Sequence, residues 1–184
     1  MNQIMDDVSE ILYDEATIER KVAQMGNQIA LDYAAKELVM VVILKGAVVY
    51  AADLMRHIPI KITLDFMAIS SYGHGSETSG IVRILKDLDQ PVENKHVLII
   101  EDIVDTGLTL DYLSKNILSK NPASLRTCVL LDKPEKRKID LTPDYLGFTT
   151  PDKFVVGYGL DYGEKYRNLP FIGALKSKID SGNG

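Results

Sequence analysis

Three carboxylates and a run of small polar residues crowd into residues 96 to 113, HVLIIEDIVDTGLTLDYL. Glu101, Asp102 and Asp105 follow the apolar run Val97, Leu98, Ile99 and Ile100, and Thr106, Gly107, Leu108 and Thr109 come directly after. Like charges this close together repel, so the pattern calls for something positive or hydrogen-bonding between them. Backbone N–H groups of an Asp105-to-Thr109 turn, a helix N-terminus behind it and the hydroxyls of Thr106 and Thr109 together make a cradle suited to a phosphate. Gly107 lets the backbone approach that anion closely. Carboxylates at Glu101 and Asp102 can accept hydrogen bonds from vicinal hydroxyls, and phosphate at one end with a diol at the other describes a sugar phosphate. Acids at strand ends also serve other α/β proteins as helix N-caps or Mg2+ ligands, and the residues alone leave those uses open. The chain has no G-x-x-x-x-G-K-[ST] loop and no G-x-G-x-x-G fingerprint.

The elements that must position these groups are readable from periodicity. Ile18, Val22, Met25, Ile29 and Tyr33 recur at helical spacing and predict a helix over 15–36, with Asp14 or Thr17 as its N-cap. LVMVVIL (38–44) is a strand covered on both faces, ended by Lys45-Gly46, and AVVYAADLMRHI (47–58) is a helix packed back on it. Further strands are expected at 60–69, 96–100, 125–132 and 153–161, with a helix over about 108–119. Between 70 and 80 the composition changes to SSYGHGSETSG, which predicts a mobile loop. Strands alternating with helices give an α/β class with a mostly parallel sheet flanked by helices and right-handed crossovers. In such a sheet a ligand sits beyond the carboxyl ends of the strands, where EDIVDTGLT is found.

Length and charge bound the partners. A chain of 184 residues that is 46% hydrophobic is expected to form one domain over 1–184. A formal net charge of −5 argues against nucleic acid as the main partner. Cys128 is the single cysteine, so neither an intramolecular disulfide nor a cysteine metal cluster is expected, and a cytoplasmic setting follows. Asp6, Asp7 and Glu10 stand where a signal peptide has an apolar stretch, and the most hydrophobic window, 38–55, is broken by Lys45, Gly46 and Asp53. No membrane association is expected. His57, His74 and His96 show no ligand spacing.

Two acids after four apolar residues, followed by IVDTGLT, resemble the phosphoribosyl pyrophosphate signature of the type I phosphoribosyltransferases. LKG (44–46), SSYG (70–73), LDKP (131–134), PDKFVVGYGLDY (151–162) and YRNLP (166–170) extend the resemblance, to the hypoxanthine-guanine branch of that family, over nearly the whole chain. The resemblance implies a type I phosphoribosyltransferase fold with a small hood and a mobile lid loop. It further implies Mg2+-dependent conversion of hypoxanthine or guanine and 5-phosphoribosyl 1-pyrophosphate to IMP or GMP and pyrophosphate, by a homodimer or homotetramer. By the same resemblance, Glu101 and Asp102 hold the ribose hydroxyls and Mg2+, and Asp105 is the general acid/base near the purine N7. Asp105, Thr106, Gly107, Leu108 and Thr109 then bind the 5′-phosphate. Lys45 and Gly46, joined to Leu44 by an expected cis peptide, and Arg167 bind the pyrophosphate, and Asp161 is a Mg2+ and pyrophosphate ligand that borders the purine. Lys133 donates to the purine O6, Phe154 stacks on the base, the Val155 backbone reads its edge, and Ser71 and Tyr72 belong to the lid.

Read without the resemblance, Lys45 is a strand terminator and Lys133 a solvated member of the basic run KPEKRK, while Phe154 is as well explained by core packing and Asp161 with Arg167 by a surface ion pair. A rival from another class is a regulator that binds phosphoribosyl pyrophosphate and then nucleic acid. It calls for a basic face, which this acidic composition does not supply.

Overall fold

The structure, a computed structural model, describes residues 2–71 and 82–176. Helix α1 (Asn2–Asp7) leads into strand β1 (Val8–Tyr13). Asp14 then caps helix α2 (Glu15–Asp32), its carboxylate accepting the Thr17 N–H at 2.8 Å, so that one of the donors a helix start leaves unpaired is satisfied. Ile18, Val22, Met25 and Ile29 form the buried stripe of α2. Strand β2 (Leu38–Leu44) is apolar throughout and buried through Ile43, as expected of a central strand covered on both faces. Helix α3 (Val48–Arg56), strand β3 (Ile62–Ser71) and strand β4 (Val82–Lys86) follow. Next come strand β5 (His96–Val104), helix α4 (Leu108–Leu118), strand β6 (Ser124–Asp132) and a 3-10 turn at Pro134–Lys136. Strands β7 (Tyr145–Thr149), β8 (Val155–Val156) and β9 (Ile172–Leu175) complete the described chain.

Two sheets result. The larger has the order β4-β3-β2-β5-β6-β7, with every pairing parallel except that of β3 with β4. Alternate residues of its central strands point to opposite layers. Met40, Val42, Leu98, Ile100, Cys128 and Leu130 pack with α2 and α3 on one face, while Val39, Val41, Val97, Ile99 and Val129 pack with Leu110, Leu113 and Ile117 of α4 on the other. Each such side chain contributes about 1.5–3 kcal/mol of transfer free energy. The smaller sheet, β1-β9-β8, is antiparallel and forms a separate hood. In the parallel registers Val42 lies beside Ile100, and Val104 beside Asp132. The segments after β2, β5 and β6 therefore leave from one edge of the sheet, side by side.

Several boundaries differ from expectation. Helix α2 stops at Asp32 and not at Lys36, because Tyr33 leaves the helical region as its C-cap (φ -109°, ψ 15°) and Ala35 adopts φ of 61°. Strand β5 continues past Ile100 to Val104, since its ladder with β6 persists through Glu101–Val129 and Ile103–Leu131. Glu101 and Asp102 are thus strand residues at the open end of the ladder. The strand expected over 153–161 shrinks to Val155–Val156, because Gly157, Tyr158 and Gly159 all take positive φ (98°, 51° and 100°) and turn the chain back. Strands β1, β7 and β9 were not anticipated. Ser71 closes β3 and does not begin the loop, while Tyr72 and the rest of the expected lid lie outside the described residues.

Candidate active site

The acids at the end of β5 are held in unequal surroundings. Glu101 is buried, and its Oε2 has no hydrogen-bond partner among the described residues. Burial, reinforced by the Asp102 charge beside it, pushes the Glu101 carboxyl well above the ordinary carboxylate range. Burial also raises Asp102, against hydrogen bonds from Glu101 and from the Ile103 N–H at 2.9 Å that pull it down. Two adjacent acids, both destabilised as anions and one with an orphaned oxygen, make a receptor for hydroxyl donors or for a cation.

Gly46 fits against them. A Cβ on Gly46 would lie 1.7 Å from Asp102 Oδ2, and a Cβ on Gly159 would lie 2.1 Å from the Gly46 carbonyl oxygen. The turn after β2 is therefore clamped between the Asp102 carboxylate and the 157–159 backbone, positions that only glycine fills. The Leu44-Lys45 peptide is cis, as expected. Lys45 Nζ reaches Glu164 Oε2 at 3.1 Å, and Arg167 Nη2 reaches the same oxygen at 3.3 Å. Arg167 also pairs with Asp161 at 2.8 Å and donates from Nη1 to the Gly159 carbonyl at 2.8 Å, while its Nε is buried with no hydrogen-bond partner among the described residues. Asp161 in addition accepts the Glu164 N–H at 2.9 Å. Two cations gathered on one carboxylate outline a place for a polyanion.

Beyond β5, Gly107 at φ 84° starts helix α4, and the Leu108 N–H points to Thr106 Oγ1 at 3.4 Å. Thr106, Leu108 and Thr109 are half-buried around this helix start. Next to it a cavity of about 490 Å3 is lined by Asp102, Asp105, Lys133, Phe154, Val155 and Asp161, among others. Lys133 is buried, donates from Nζ to the Lys153 carbonyl at 2.7 Å, and lies 3.7 Å from Asp105 Oδ1. That Asp105 oxygen is itself buried and has no hydrogen-bond partner among the described residues. Phe154 lines this cavity, is 40% exposed and meets Tyr162 edge-to-face at 5.2 Å.

Six of the expected residues thus share one cavity; Gly46 adjoins it through Asp102 and Arg167 through Asp161, and Glu164 links Lys45 to Arg167. Of the two expected lid residues, Ser71 ends β3 and Tyr72 lies outside the described residues. Sequence reasoning missed Glu164, whose only signal is its position in the turn shared by Asp161 and Arg167. It also passed over Arg137 and Asp132, where the sole hint was an acid ending β6 and a base five residues on. No group of three or more metal-ligating residues occurs among the described residues. Mg2+, however, is ordinarily held by one or two carboxylates with substrate oxygens completing the shell, and the Glu101–Asp102 pair with its orphaned oxygen fits that manner of binding.

Comparison with known proteins gives a consistent picture. The family described as phosphoribosyl transferase domain matches residues 8–163. The hypoxanthine-guanine phosphoribosyltransferase of Mycobacterium tuberculosis is 46% identical over 179 residues, covering 94% of this chain and 89% of its own. That of Bacillus subtilis is 46% identical over 173 residues, covering 94% and 96%. A crystal structure of a hypoxanthine phosphoribosyltransferase from Staphylococcus aureus superposes with a TM-score of 0.94 at 47% identity, covering 98% of this chain and 99% of that one.

Proposed function

Because the chain belongs to the phosphoribosyltransferase family, we infer that it is a purine-salvage enzyme. It transfers the phosphoribosyl group of 5-phosphoribosyl 1-pyrophosphate to hypoxanthine or guanine, giving IMP or GMP and pyrophosphate. The observation that carries the base assignment is the pairing of Asp105 with Lys133 on one wall of the cavity, 3.7 Å apart. One is an acceptor for a ring N–H and the other a donor for a 6-oxo group.

The chemistry follows from the side chains. The amides and hydroxyls of Asp105 to Thr109 hold the 5′-phosphate at the start of α4. Glu101 and Asp102 accept the ribose hydroxyls, and Lys45 and Arg167 exchange Glu164 for the pyrophosphate. As the C1′–oxygen bond to pyrophosphate lengthens, positive charge grows at C1′ beside the Asp102 and Asp105 carboxylates, which stabilise it. The purine N9 forms the new bond to C1′ as the bond to pyrophosphate breaks, and the proton on N7 passes to Asp105. Lys133 Nζ has three donors and uses one on the Lys153 carbonyl, leaving others for the purine O6. A 6-amino base would set donor against donor. Phe154 stacks on the ring, and the Val155 backbone meets its edge.

Mg2+, when bound, neutralises the pyrophosphate leaving group. Glu101, Asp102 and Asp161 are the residues suited to hold it. The same reading takes 1–184 as one domain, Ser71 and Tyr72 as part of a lid, and the enzyme as a homodimer or homotetramer. The cytoplasm is its proposed compartment, in keeping with a lone buried thiol at Cys128. No described helix is long and apolar enough to cross a membrane. The test is nucleotide formation from phosphoribosyl pyrophosphate and Mg2+ with hypoxanthine, guanine, xanthine, adenine, orotate and uracil offered separately. Turnover with hypoxanthine or guanine, abolished by EDTA, is expected. Donor binding without turnover on any base would overturn the reading.

A further inference from the structure

The phosphate turn is supported from outside by the chain that follows β6. Three consecutive carbonyls accept hydrogen bonds from it: Val104 O from the Lys133 N–H at 2.9 Å, Asp105 O from Arg137 Nη1 at 2.8 Å, and Thr106 O from the Lys138 N–H at 3.0 Å. Only the middle bond comes from a side chain. Arg137 is anchored in turn by Nη2 on the Asp132 carboxylate, and both side chains are nearly buried, at 12% and 10% exposure. Its stem also backs Gly107, where an added Cβ would come within 3.1 Å of Arg137 Cδ and 3.0 Å of Ile139 Cγ1.

We propose that Arg137 is a positioning residue for donor binding, a role that rests on the function inferred above. Carbonyls drawn to one side of a turn leave the amides facing the other, which is the arrangement that makes a backbone cradle for an anion. Arg137 fixes the central carbonyl of that set, and the residue it fixes is Asp105, the proposed acid/base. The planar guanidinium spans the two acceptors at once, one Nη to each. An ammonium can point at only one of them along this path. The purine wall has separate support through the bond from Lys133 Nζ to Lys153 O. Loss of Arg137 therefore acts first on the sugar-phosphate end and on proton acceptance by Asp105, while the Lys133 donor to the purine keeps its own support.

The experiment compares wild type with Arg137→Met and Arg137→Lys by thermal melting, by KM for each substrate, and by titration of ribose 5-phosphate followed at the Thr106 to Thr109 amides by NMR. For Arg137→Met, KM for the donor and the dissociation constant for ribose 5-phosphate are expected to rise about tenfold or more, kcat to fall by a similar factor, and KM for hypoxanthine to stay within about twofold. Arg137→Lys recovers part of the loss. A folded Arg137→Met with wild-type ribose 5-phosphate affinity, or one in which both KM values rise together, overturns the role. If Arg137→Met does not fold, Arg137→Lys decides by the same criteria. Wild type that binds ribose 5-phosphate but makes no nucleotide refutes the proposed function, while the variant-to-wild-type affinity ratio still judges Arg137. Wild type that fails to bind it overturns both.

Discussion

Replacing Gly46 by alanine is expected to damage catalysis more than folding. The new Cβ would sit 1.7 Å from Asp102 Oδ2 and 2.6 Å from its Cγ, where ordinary contact starts near 3.4 Å. Retreat of the turn is blocked, because the Gly46 carbonyl already lies against Gly159, 2.1 Å from where a Cβ on that residue would stand. The carboxylate must therefore give way, by about 1.7 Å if it moves alone. Forcing a side chain off its rotamer and overpacking a tight contact together cost about 1–3 kcal/mol of stability. Misplacing a reacting-site group by about 1 Å costs on the order of 10²-fold in rate, or about 2.7 kcal/mol of transition-state stabilisation. Steady-state kcat/KM for the donor, measured well below the melting transition of the variant, separates the two effects. A Gly46→Ala protein within threefold of wild type, or one whose lost activity equals its lost folded fraction, would refute the placement of Asp102 in the site.

Other perturbations have equally definite outcomes. Asp105→Asn should lower kcat by about 10²–10⁴-fold with donor affinity retained, as measured by turnover and donor titration, because it removes the proton acceptor and keeps the backbone cradle. Lys133→Ala should raise KM for hypoxanthine tenfold or more, reflecting the roughly 1–3 kcal/mol lost when a buried acceptor goes unpaired, and should change donor KM much less. Glu164→Gln should lower donor KM by about two- to threefold at low salt and less at high salt, since an exposed carboxylate that competes for Lys45 and Arg167 is removed. Burial pushes the Cys128 thiol up to about 12, so its thiolate fraction at pH 8 is about 10⁻⁴. A disulfide reagent should accordingly find no reactive thiol in the folded protein at that pH and one equivalent after denaturation. Rapid labelling of the native protein would show that Cys128 is not buried against the Tyr50 hydroxyl as the structure indicates.

The core of this fold was legible because its signals were local. An unbroken apolar run marked β2 to the residue, and the 3.6-residue stripe of Ile18, Val22, Met25 and Ile29 marked α2. What remained hidden depended on partners distant in sequence. Strands β1 and β9 pair Val8 with Leu175, across most of the chain, and neither shows clean alternation. KFVVGYGLD looks like one strand because valine and tyrosine favour extended backbone, but the glycines at 157 and 159 permit the positive φ values that end it after Val156. At the site, the acids, Lys133 and Arg167 stood out through residue type and family resemblance. Glu164 and Arg137 did not, since their significance lies in bridging Lys45 to Arg167 and Asp132 to Asp105, relations visible only once the chain is folded.

The most direct measurement is kcat/KM for hypoxanthine and for adenine, run in parallel at saturating phosphoribosyl pyrophosphate and Mg2+ with pyrophosphate release as the readout. A buried donor at Lys133 facing the 6-position predicts a preference for hypoxanthine of at least about 10³-fold, the scale on which a hydrogen-bonding site rejects a mismatched analogue. Comparable values for the two bases, or pyrophosphate release that needs no base, would contradict it.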